Sequence, residues 1–230
     1  MQKPNVTASV KTNIMTIAID GPAGAGKSTV AKILAKALGI SYLDTGAMYR
    51  ALTLKALEKK VNLENGEALA DLAKETKIEL KPSAAGLNIF LDGQDVSQEI
   101  RTPQVTNNTF YIARAPEVRE IMVSLQRELG KKQSVVAEGR DIGTVVFPHA
   151  TKKFYLDADF NERARRRIKE LQDKGKVVDE KQLQKELDER DQKDFTRKVG
   201  PLKKADDAIV IDSTGLTAEQ TAEKILGYLK

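Results

Sequence analysis

The sequence predicts an α/β fold in which a parallel β-sheet is flanked by helices. Three observations lead to this prediction. Short apolar runs alternate with amphipathic segments, a glycine-rich loop joins the first run to the first amphipathic segment, and one stretch with period-2 hydrophobicity interrupts the alternation. Alternating strands and helices are typical of a parallel sheet covered on both faces. The 230 residues suffice for one core with an embedded subdomain, but they are few for two full domains.

Strands are predicted where short apolar runs are bounded by polar residues or glycine. The first run, residues 14–20, is almost continuously apolar, as expected for a strand buried on both faces. Further strands of this sheet are predicted at residues 40–43, 134–138, 153–157 and 208–211.

Helices are predicted where apolar residues recur at helical spacing. The clearest is residues 27–38, which Gly39 follows as a helix-ending residue. Other helices are predicted at residues 47–60, 159–172 and 217–229. The last two begin with capping-box pairs, Asp159 with Glu162 and Thr217 with Gln220.

Residues 77–96 interrupt the alternation. Their period-2 patterning, with turns at residues 82–86 and at Asp92-Gly93, predicts a small antiparallel sheet. We therefore predict an insert at 63–100 beside a core formed by 14–62 and 101–230. Residues 1–13 are polar and are expected to form a flexible tail.

Composition excludes several classes of protein. Apolar residues make up 40% and charged residues 31%, and no apolar run approaches the ~20 residues of a membrane span. Residues 1–13 lack the apolar centre of a secretory signal, so we expect a cytoplasmic protein without a membrane partner. The net charge of +5 suggests an anionic partner. Nucleic-acid binding needs a basic stripe, but acidic residues occur here in the same segments as the basic ones. We therefore expect a polyanionic small molecule rather than a nucleic acid.

Two absences narrow the chemistry further. The chain has no cysteine, which excludes disulfides, thiolate nucleophiles and cysteine-bound metals. Its single histidine, His149, lies in a Phe-Pro-His-Ala stretch that indicates a surface turn. With this single histidine, we expect neither a His-pair metal site nor a Ser-His triad.

The glycine-rich loop matches the pattern G-x-x-x-x-G-K-S/T between a strand and a helix. The match consists of Gly21, Pro22, Ala23, Gly24, Ala25, Gly26, Lys27 and Ser28. Glycines allow backbone N–H groups to converge on phosphate oxygens, and the following helix points its positive dipole end at them. Lys27 can reach the β- and γ-phosphates of ATP, and the Ser28 hydroxyl can bind Mg²⁺. The sequence therefore predicts an ATP site.

A small-molecule kinase fits the remaining features best. The chain lacks the N-K-x-D guanine motif of GTPase switches and is too short for a motor or transporter subunit. A kinase needs positive charge on the acceptor side and a mobile cover that excludes water. Arg163, Arg166 and Arg167 share one face of a predicted helix, and Arg190 and Arg197 follow in a second basic segment. We expect a helical, arginine-rich lid at about residues 159–200.

The chain resembles the bacterial cytidylate kinases from residue 14 to residue 230. The specific motifs are D-T-G-A-M-Y-R at residues 44–50 and G-R-D-I-G-T-V-V-F-P at residues 139–148. Further matching segments lie at 19–29, at 95–101 and in the two arginine-rich stretches. The resemblance implies a P-loop NTPase-like nucleoside monophosphate kinase with an enlarged monophosphate-binding insert. It also implies transfer of the γ-phosphate of ATP to CMP or dCMP with Mg²⁺.

The resemblance implies roles for individual residues. It adds Thr29 to the ATP site. It implies that CMP is bound by Thr45, Tyr49, Arg50, Arg119, Arg140, Asp141, Arg190, Asp194 and Arg197. Catalysis is expected to involve Lys27, Arg140, Arg163, Arg166, Arg167 and Arg190. Within this set, Asp141 is expected to accept from the cytosine amino group, while Arg119 donates to N3 or O2.

One position departs from the family pattern. Phe110 stands where many members have a serine that contacts the base, and Thr109 or Tyr111 could substitute for it. Kinases for UMP, shikimate or dephospho-coenzyme A therefore stay open as alternatives, as does a nucleotide-gated binding protein. The sequence shows no dedicated interface, and a monomer is expected.

Overall fold

The computed structural model describes residues 14–83, 86–173 and 175–229 of the chain. The predicted tail, residues 1–13, lies outside the described residues, as do residues 84–85 of the first predicted turn. In chain order the elements are β1 (Thr16–Asp20), α1 (Lys27–Leu38), β2 (Ser41–Asp44), α2 (Thr45–Glu58), α3 (Gly66–Lys74), β3 (Ile78–Ser83), β4 (Gly86–Leu91), β5 (Gln94–Asp95), a 3₁₀ turn (Glu99–Arg101), α4 (Pro103–Arg114), α5 (Pro116–Lys132), β6 (Val135–Gly139), a π-helical segment (Ile142–Val146), β7 (Lys152–Asp157), α6 (Phe160–Asp173), α7 (Glu180–Thr196), β8 (Ile209–Asp212) and α8 (Ala218–Gly227).

The main sheet has five parallel strands in the order β2-β6-β1-β7-β8. Each predicted strand of this sheet is confirmed, with bounds that differ by at most two residues. Alternate residues of β1 serve the two faces: Ile17 and Ile19 pack with α1 and α8, whereas Ala18 packs with α2 and α5. The sheet is thus covered on both faces, which explains the continuous apolar character of its strands.

A second, antiparallel sheet contains β3, β4 and β5. The predicted turn at Asp92-Gly93 is confirmed, and both residues have positive φ angles of 49° and 90°. Positive φ at both central residues is the signature of a type I′ hairpin. Ile89 and Leu91 bury their side chains against the 3₁₀ turn and α2.

The helical predictions vary in accuracy. Helix α1 has the predicted bounds, and Gly39 ends it with a φ of 65°. The pattern assigned no helix to residues 66–74, 103–114 and 116–132, which the structure shows as α3, α4 and α5, whereas α7 lies in the stretch expected to be a helical lid. Helix α7 is charged on most of its surface and buries only Leu187 and Asp191, so its apolar periodicity is weak. His149 is exposed in a turn, as predicted.

The two predicted capping boxes differ. At α8, Thr217 accepts from the Gln220 N–H and the Gln220 side chain accepts from the Thr217 N–H, which confirms the prediction. At α6, Asp159 accepts from the N–H groups of Asn161 and Glu162. The Glu162 carboxylate instead accepts from Arg165 and Arg166 of its own helix, so the reciprocal bond is absent there and that prediction is half right.

Thr217→Ala is expected to lower the free energy of unfolding by about 1 kcal/mol, because it leaves the Gln220 N–H without its capping acceptor. Urea denaturation followed by circular dichroism measures this loss. Glu219→Ala changes an exposed residue in the same first turn and serves as the control. Equal midpoints for the two variants would contradict a stabilising role for this cap.

Candidate active site

The site lies where the parallel strands end. Acidic residues occupy the carboxyl ends of β1, β2, β6 and β7, namely Asp20, Asp44, Glu138 and Asp157. Asp20 and Gly139 are paired in register, so the loops after β1 and β6 leave the sheet side by side. Ligands of open α/β sheets bind outside these strand ends.

The phosphate loop connects β1 with α1. Gly21 has a φ of 151°, and a Cβ there would lie 2.0 Å from the Leu156 carbonyl oxygen. Gly24 has a φ of 78°, and a Cβ there would meet the backbone of Arg163 at 3.0 Å. Gly26 is the N-cap of α1 and offers no side-chain cap, so the first N–H groups of the helix point into the loop. A glycine loop before an uncapped helix start is suited to binding phosphate.

Lys27 and Ser28 begin α1 at the floor of the loop. The buried Lys27 amine donates to the Pro22 carbonyl at 2.7 Å. Burial, together with the nearby charge of Arg140, lowers the pKa of Lys27 to about 7. The Ser28 hydroxyl donates to the Glu138 carboxylate at 2.6 Å, while Thr29 is exposed in the same turn.

Glu138 is a candidate functional residue to which the sequence analysis gave no role. It is buried, and the same carboxylate oxygen accepts from Ser28 and from the Tyr42 hydroxyl, the latter at 3.2 Å. A carboxylate directly after the apolar run 135–137, in a chain with a phosphate loop, was the available signal. Within the described ranges, no group of three or more acidic, histidine or cysteine side chains is arranged to hold a metal by itself.

The start of α2 carries three of the residues predicted to bind the acceptor. Asp44 caps this helix by accepting from the Ala47 N–H at 2.7 Å and also pairs with Arg50 at 3.3 Å. Thr45 donates to the Glu138 carbonyl at 2.8 Å. Tyr49 is buried one turn further along. The Arg50 Nε is buried without a hydrogen-bond partner among the described residues.

A buried charge cluster joins four elements. Asp141 forms a short ion pair with Arg119 of α5 and lies 3.5 Å from Arg197, which follows α7. The Arg119 guanidinium lies 5.8 Å from the centre of the Tyr49 ring. Burial raises the pKa of Asp141, although the charges of Arg119 and Arg197 oppose the shift. A Cβ at Gly200 would collide with both Arg119 and Asp141, so only glycine allows the chain to cover this pair so closely.

A second cluster faces Lys27. Arg140 pairs with Asp194 at 2.7 Å, and although burial opposes it, the charges of Arg140 and Arg190 hold the pKa of Asp194 below its usual value. Burial and the neighbouring charge of Arg140 lower the pKa of Arg190 to about 10. No acceptor for a hydrogen bond from Arg190 is found in the part of the chain that the structure describes. Arg190 is thus the cation of this cluster that no carboxylate satisfies by a hydrogen bond.

The three arginines predicted to share a face of α6 each have a separate partner. Arg163 is buried and forms a short ion pair with Asp191 of α7, and it also donates to the Ala23 carbonyl at 2.9 Å. Arg166 donates to the Ser213 carbonyl at 2.6 Å and lies near Gly26. Arg167 pairs with Glu170 at 2.6 Å. Each of the three therefore has an acidic neighbour, which for Arg166 is Glu162 of its own helix.

Phe110 lies half-buried on α4. Its ring contacts Tyr111 edge-on, with 6.1 Å between ring centres, and the Arg114 guanidinium lies 5.3 Å from it. The Lys193 amine of α7 lies 5.8 Å from the same ring. Thr109 donates to the Val105 carbonyl of its own helix at 2.7 Å. The Phe110 side chain thus faces α7.

None of the described helices is long and apolar enough to cross a membrane.

Comparisons with known proteins agree with this geometry. A sequence model of the family described as "Cytidylate kinase" matches residues 17–230. The cytidylate kinase of Desulforamulus reducens is 52% identical over 214 residues, covering 93% of this chain and 96% of the relative. That of Anoxybacillus flavithermus is 52% identical over 212 residues, covering 92% of this chain and 94% of the relative.

A solved structure shares the fold at low sequence identity. It is an uncharacterized protein from Eubacterium ventriosum, with a TM-score of 0.52 and 14% identity over 94% of this chain and 98% of that one. The family prediction and the α/β kinase fold are therefore confirmed. On the family match and the identity of its relatives, this chain belongs to the cytidylate kinase family.

Proposed function

We propose that this chain transfers the γ-phosphate of ATP to CMP or dCMP and releases ADP with CDP or dCDP. One observation carries the proposal beyond family membership: near Lys27 lies Arg190, which has no hydrogen-bond acceptor among the described residues, and near Arg190 lies Arg50, whose buried Nε has none either. Arg190 and Lys27 both have lowered pKa values because they are buried beside Arg140. Such a concentration of positive charge is costly by itself and becomes favourable when polyanionic substrates bind.

The ATP side is formed by the phosphate loop. The loop N–H groups and the start of α1 bind the β- and γ-phosphates, and Lys27 leaves the Pro22 carbonyl to contact the transferred group. Catalysis of phosphoryl transfer consists mainly of alignment and charge neutralisation, which a lysine and several arginines can provide.

The residues near Ser28 fit a bound Mg²⁺. Hydroxyl and carboxylate oxygens are the ligands this ion prefers, and Mg²⁺ usually keeps several waters beside substrate phosphates. Ser28 would bind the ion directly, and Glu138, which holds the Ser28 hydroxyl at 2.6 Å, would orient it. The ion would neutralise charge that develops on the phosphates.

The acceptor side needs no strong general base. The second pKa of a phosphate monoester is about 6, so the attacking oxygen of CMP is already anionic near neutral pH. We assign the binding of that phosphate to Arg50, Arg140 and Arg190. Asp194 orients Arg140 through their ion pair at 2.7 Å. Arg166 and Arg167 project from α6 near the loop and would complete the cover over both substrates.

Base selection is proposed for Asp141 and Arg119. Each is held by the other in the buried cluster, and their hydrogen-bonding groups complement cytosine, which offers an amino donor beside ring acceptors. Uracil presents a carbonyl in place of the amino group and would leave the Asp141 carboxylate facing an oxygen. Tyr49 and Arg197, which lie near Arg119 and Asp141, and Thr45 are assigned to the same acceptor side.

The proposal is tested by ADP release with Mg-ATP against CMP, dCMP, UMP, AMP, GMP and shikimate. Turnover confined to CMP and dCMP is expected. Turnover with shikimate and not with CMP would identify a different kinase. ATP binding with no turnover on any acceptor would favour a nucleotide-gated binding protein.

Asp141→Asn is expected to reduce the kcat/KM ratio of CMP to UMP by about 10–100-fold, because one paired base contact is worth roughly 1–3 kcal/mol of discrimination. The amide keeps the shape of the side chain and can turn a donor toward uracil. Competition assays with both acceptors measure the ratio. Asp206→Asn changes an exposed carboxylate and is the control. An unchanged ratio in Asp141→Asn would remove this residue from base selection.

The cytoplasmic location, the monomeric state, the absence of a nucleic-acid partner and the proposed bounds of insert and lid stay predictions.

A further inference from the structure

The carboxylate of Asp20 lies at the end of β1 and contacts the segment that follows β6. Its two oxygens accept from the backbone N–H groups of Ile142 and Gly143 at 2.7 and 2.8 Å. The side chain is buried, with 4% of the residue exposed. These two N–H groups begin the π-helical segment Ile142–Val146, so Asp20 caps that segment from a distant part of the chain.

A helix start is normally capped by the side chain of its own N-cap residue. Here the N-cap residue is Asp141, and its side chain makes no capping hydrogen bond. Its carboxylate faces Arg119 and Arg197 instead. Aspartate is among the strongest N-cap residues, so Asp141 would be expected to turn toward its own segment if the N–H groups there were free.

We propose that Asp20 is a positioning residue for base selection, because it caps this segment in place of Asp141 and leaves the Asp141 carboxylate available to the acceptor base. The inference rests on the proposed role of Asp141 in reading cytosine. This orientation of Asp141 is separate from the binding of phosphate by the phosphate loop and by the acceptor arginines.

The surroundings of Asp20 show that the carboxylate is held at a cost. Burial has the largest effect on the pKa of Asp20 and raises it to about 6, and the charge of Asp141 acts in the same direction. The two backbone hydrogen bonds and the charge of Lys27 oppose this rise. The Lys153 side chain packs against Gly143 on the same segment. At neutral pH the Asp20 carboxylate is therefore ionised in the folded state, although it ionises more easily in the unfolded state. This difference lowers the free energy of unfolding. A neutral asparagine of the same shape relieves this cost but leaves one of the two buried N–H groups without its acceptor, so the two effects oppose and Asp20→Asn is expected to melt close to the parent temperature.

Asp20→Asn separates positioning from a merely structural role. Its amide has one acceptor oxygen for two N–H groups, so one N–H becomes available to Asp141. We expect the CMP-to-UMP ratio of kcat/KM to fall at least about tenfold, while the KM for ATP changes less than about twofold. Asp206→Asn is the control. An unchanged ratio, or a lowered melting temperature with both substrates equally affected, would overturn the inference.

Two further measurements locate the effect at Asp141. In an Asp141→Asn background, Asp20→Asn is expected to leave the ratio unchanged, since two residues that act through one group are not additive. An equal fall in both backgrounds would contradict the inference.

The crystal structure of Asp20→Asn is a test that does not depend on activity. An Asp141 side chain turned toward its own segment would support the inference, and an Asp141 side chain still paired with Arg119 and Arg197 would overturn it. A parent without CMP turnover would end the proposed function, while the crystal structure would still decide the position of Asp141.

Discussion

Lys27→Met is expected to lower kcat by about 10²–10³-fold while leaving the protein folded, because removal of one preorganised charge at the transferred group has an effect of this order. The methionine keeps the apolar stem of the buried side chain. Burial and the charge of Arg140 lower the pKa of Lys27 to about 7, below its value in the unfolded chain. Between pH 7 and the lysine pKa of the unfolded chain, the Lys27 amine thus binds more protons in the unfolded state than in the folded state. The native lysine therefore lowers the free energy of unfolding near neutral pH. The variant should melt at the parent temperature or above it.

Steady-state kinetics and thermal denaturation at pH 7 check both halves of this prediction. Lys36→Met, an exposed residue in the last turn of the same helix, is the control and should keep parental kcat. Parental kcat in Lys27→Met would remove the phosphate loop from catalysis. A strongly lowered melting temperature would instead show that the amine stabilises the loop through its bond to the Pro22 carbonyl.

Arg163→Ala is expected to lower the free energy of unfolding by about 3–5 kcal/mol, the usual cost of leaving one partner of a buried ion pair uncompensated. Arg163 holds Asp191 and the Ala23 carbonyl, and Asp191 in turn accepts from the Ala23 N–H at 3.2 Å. The pair therefore holds both backbone groups of one phosphate-loop residue and ties the loop to α6 and α7. Arg165→Ala, with a side chain 68% exposed on the same helix, is the control and should cost less than about 0.5 kcal/mol.

A double variant separates stability from loop positioning. Arg163→Met with Asp191→Leu removes both charges, and such replacements of buried pairs are often neutral or stabilising, so much of the lost stability should return. Activity should stay low, because Ala23 has lost its two contacts. Urea denaturation and kcat for the set of variants test this expectation. Loss of activity in Arg163→Ala without loss of stability would identify Arg163 as a phosphate ligand instead.

The elements that the sequence predicted correctly depend on contacts between neighbours in the chain. The helix at residues 27–38, the Asp92-Gly93 turn and the capping box at Thr217 each use residues within one element or one turn. Local propensity and hydrophobic period act over such distances. The phosphate loop belongs to this group, because one continuous segment supplies its backbone N–H groups and its lysine.

The partners of the charged residues needed the tertiary structure. Periodicity placed Arg163 on a helix face but could not show that Asp191, 28 positions later in the second basic segment, would pair with it. Asp20 appeared in the sequence as the polar end of a strand, and its contact with Ile142 spans 122 positions.

What the sequence by itself determined is the family, the parallel sheet, the antiparallel hairpin and the phosphate loop, since each follows from a local pattern of residue types. Only the tertiary structure decided which charged side chains pair with one another. Hydrogen bonds and ion pairs between elements depend on how strands and helices pack in space, and no period in the chain encodes that distance. Packing therefore decided that Asp20 caps a segment beside the acceptor residues and that Arg163 holds the phosphate loop.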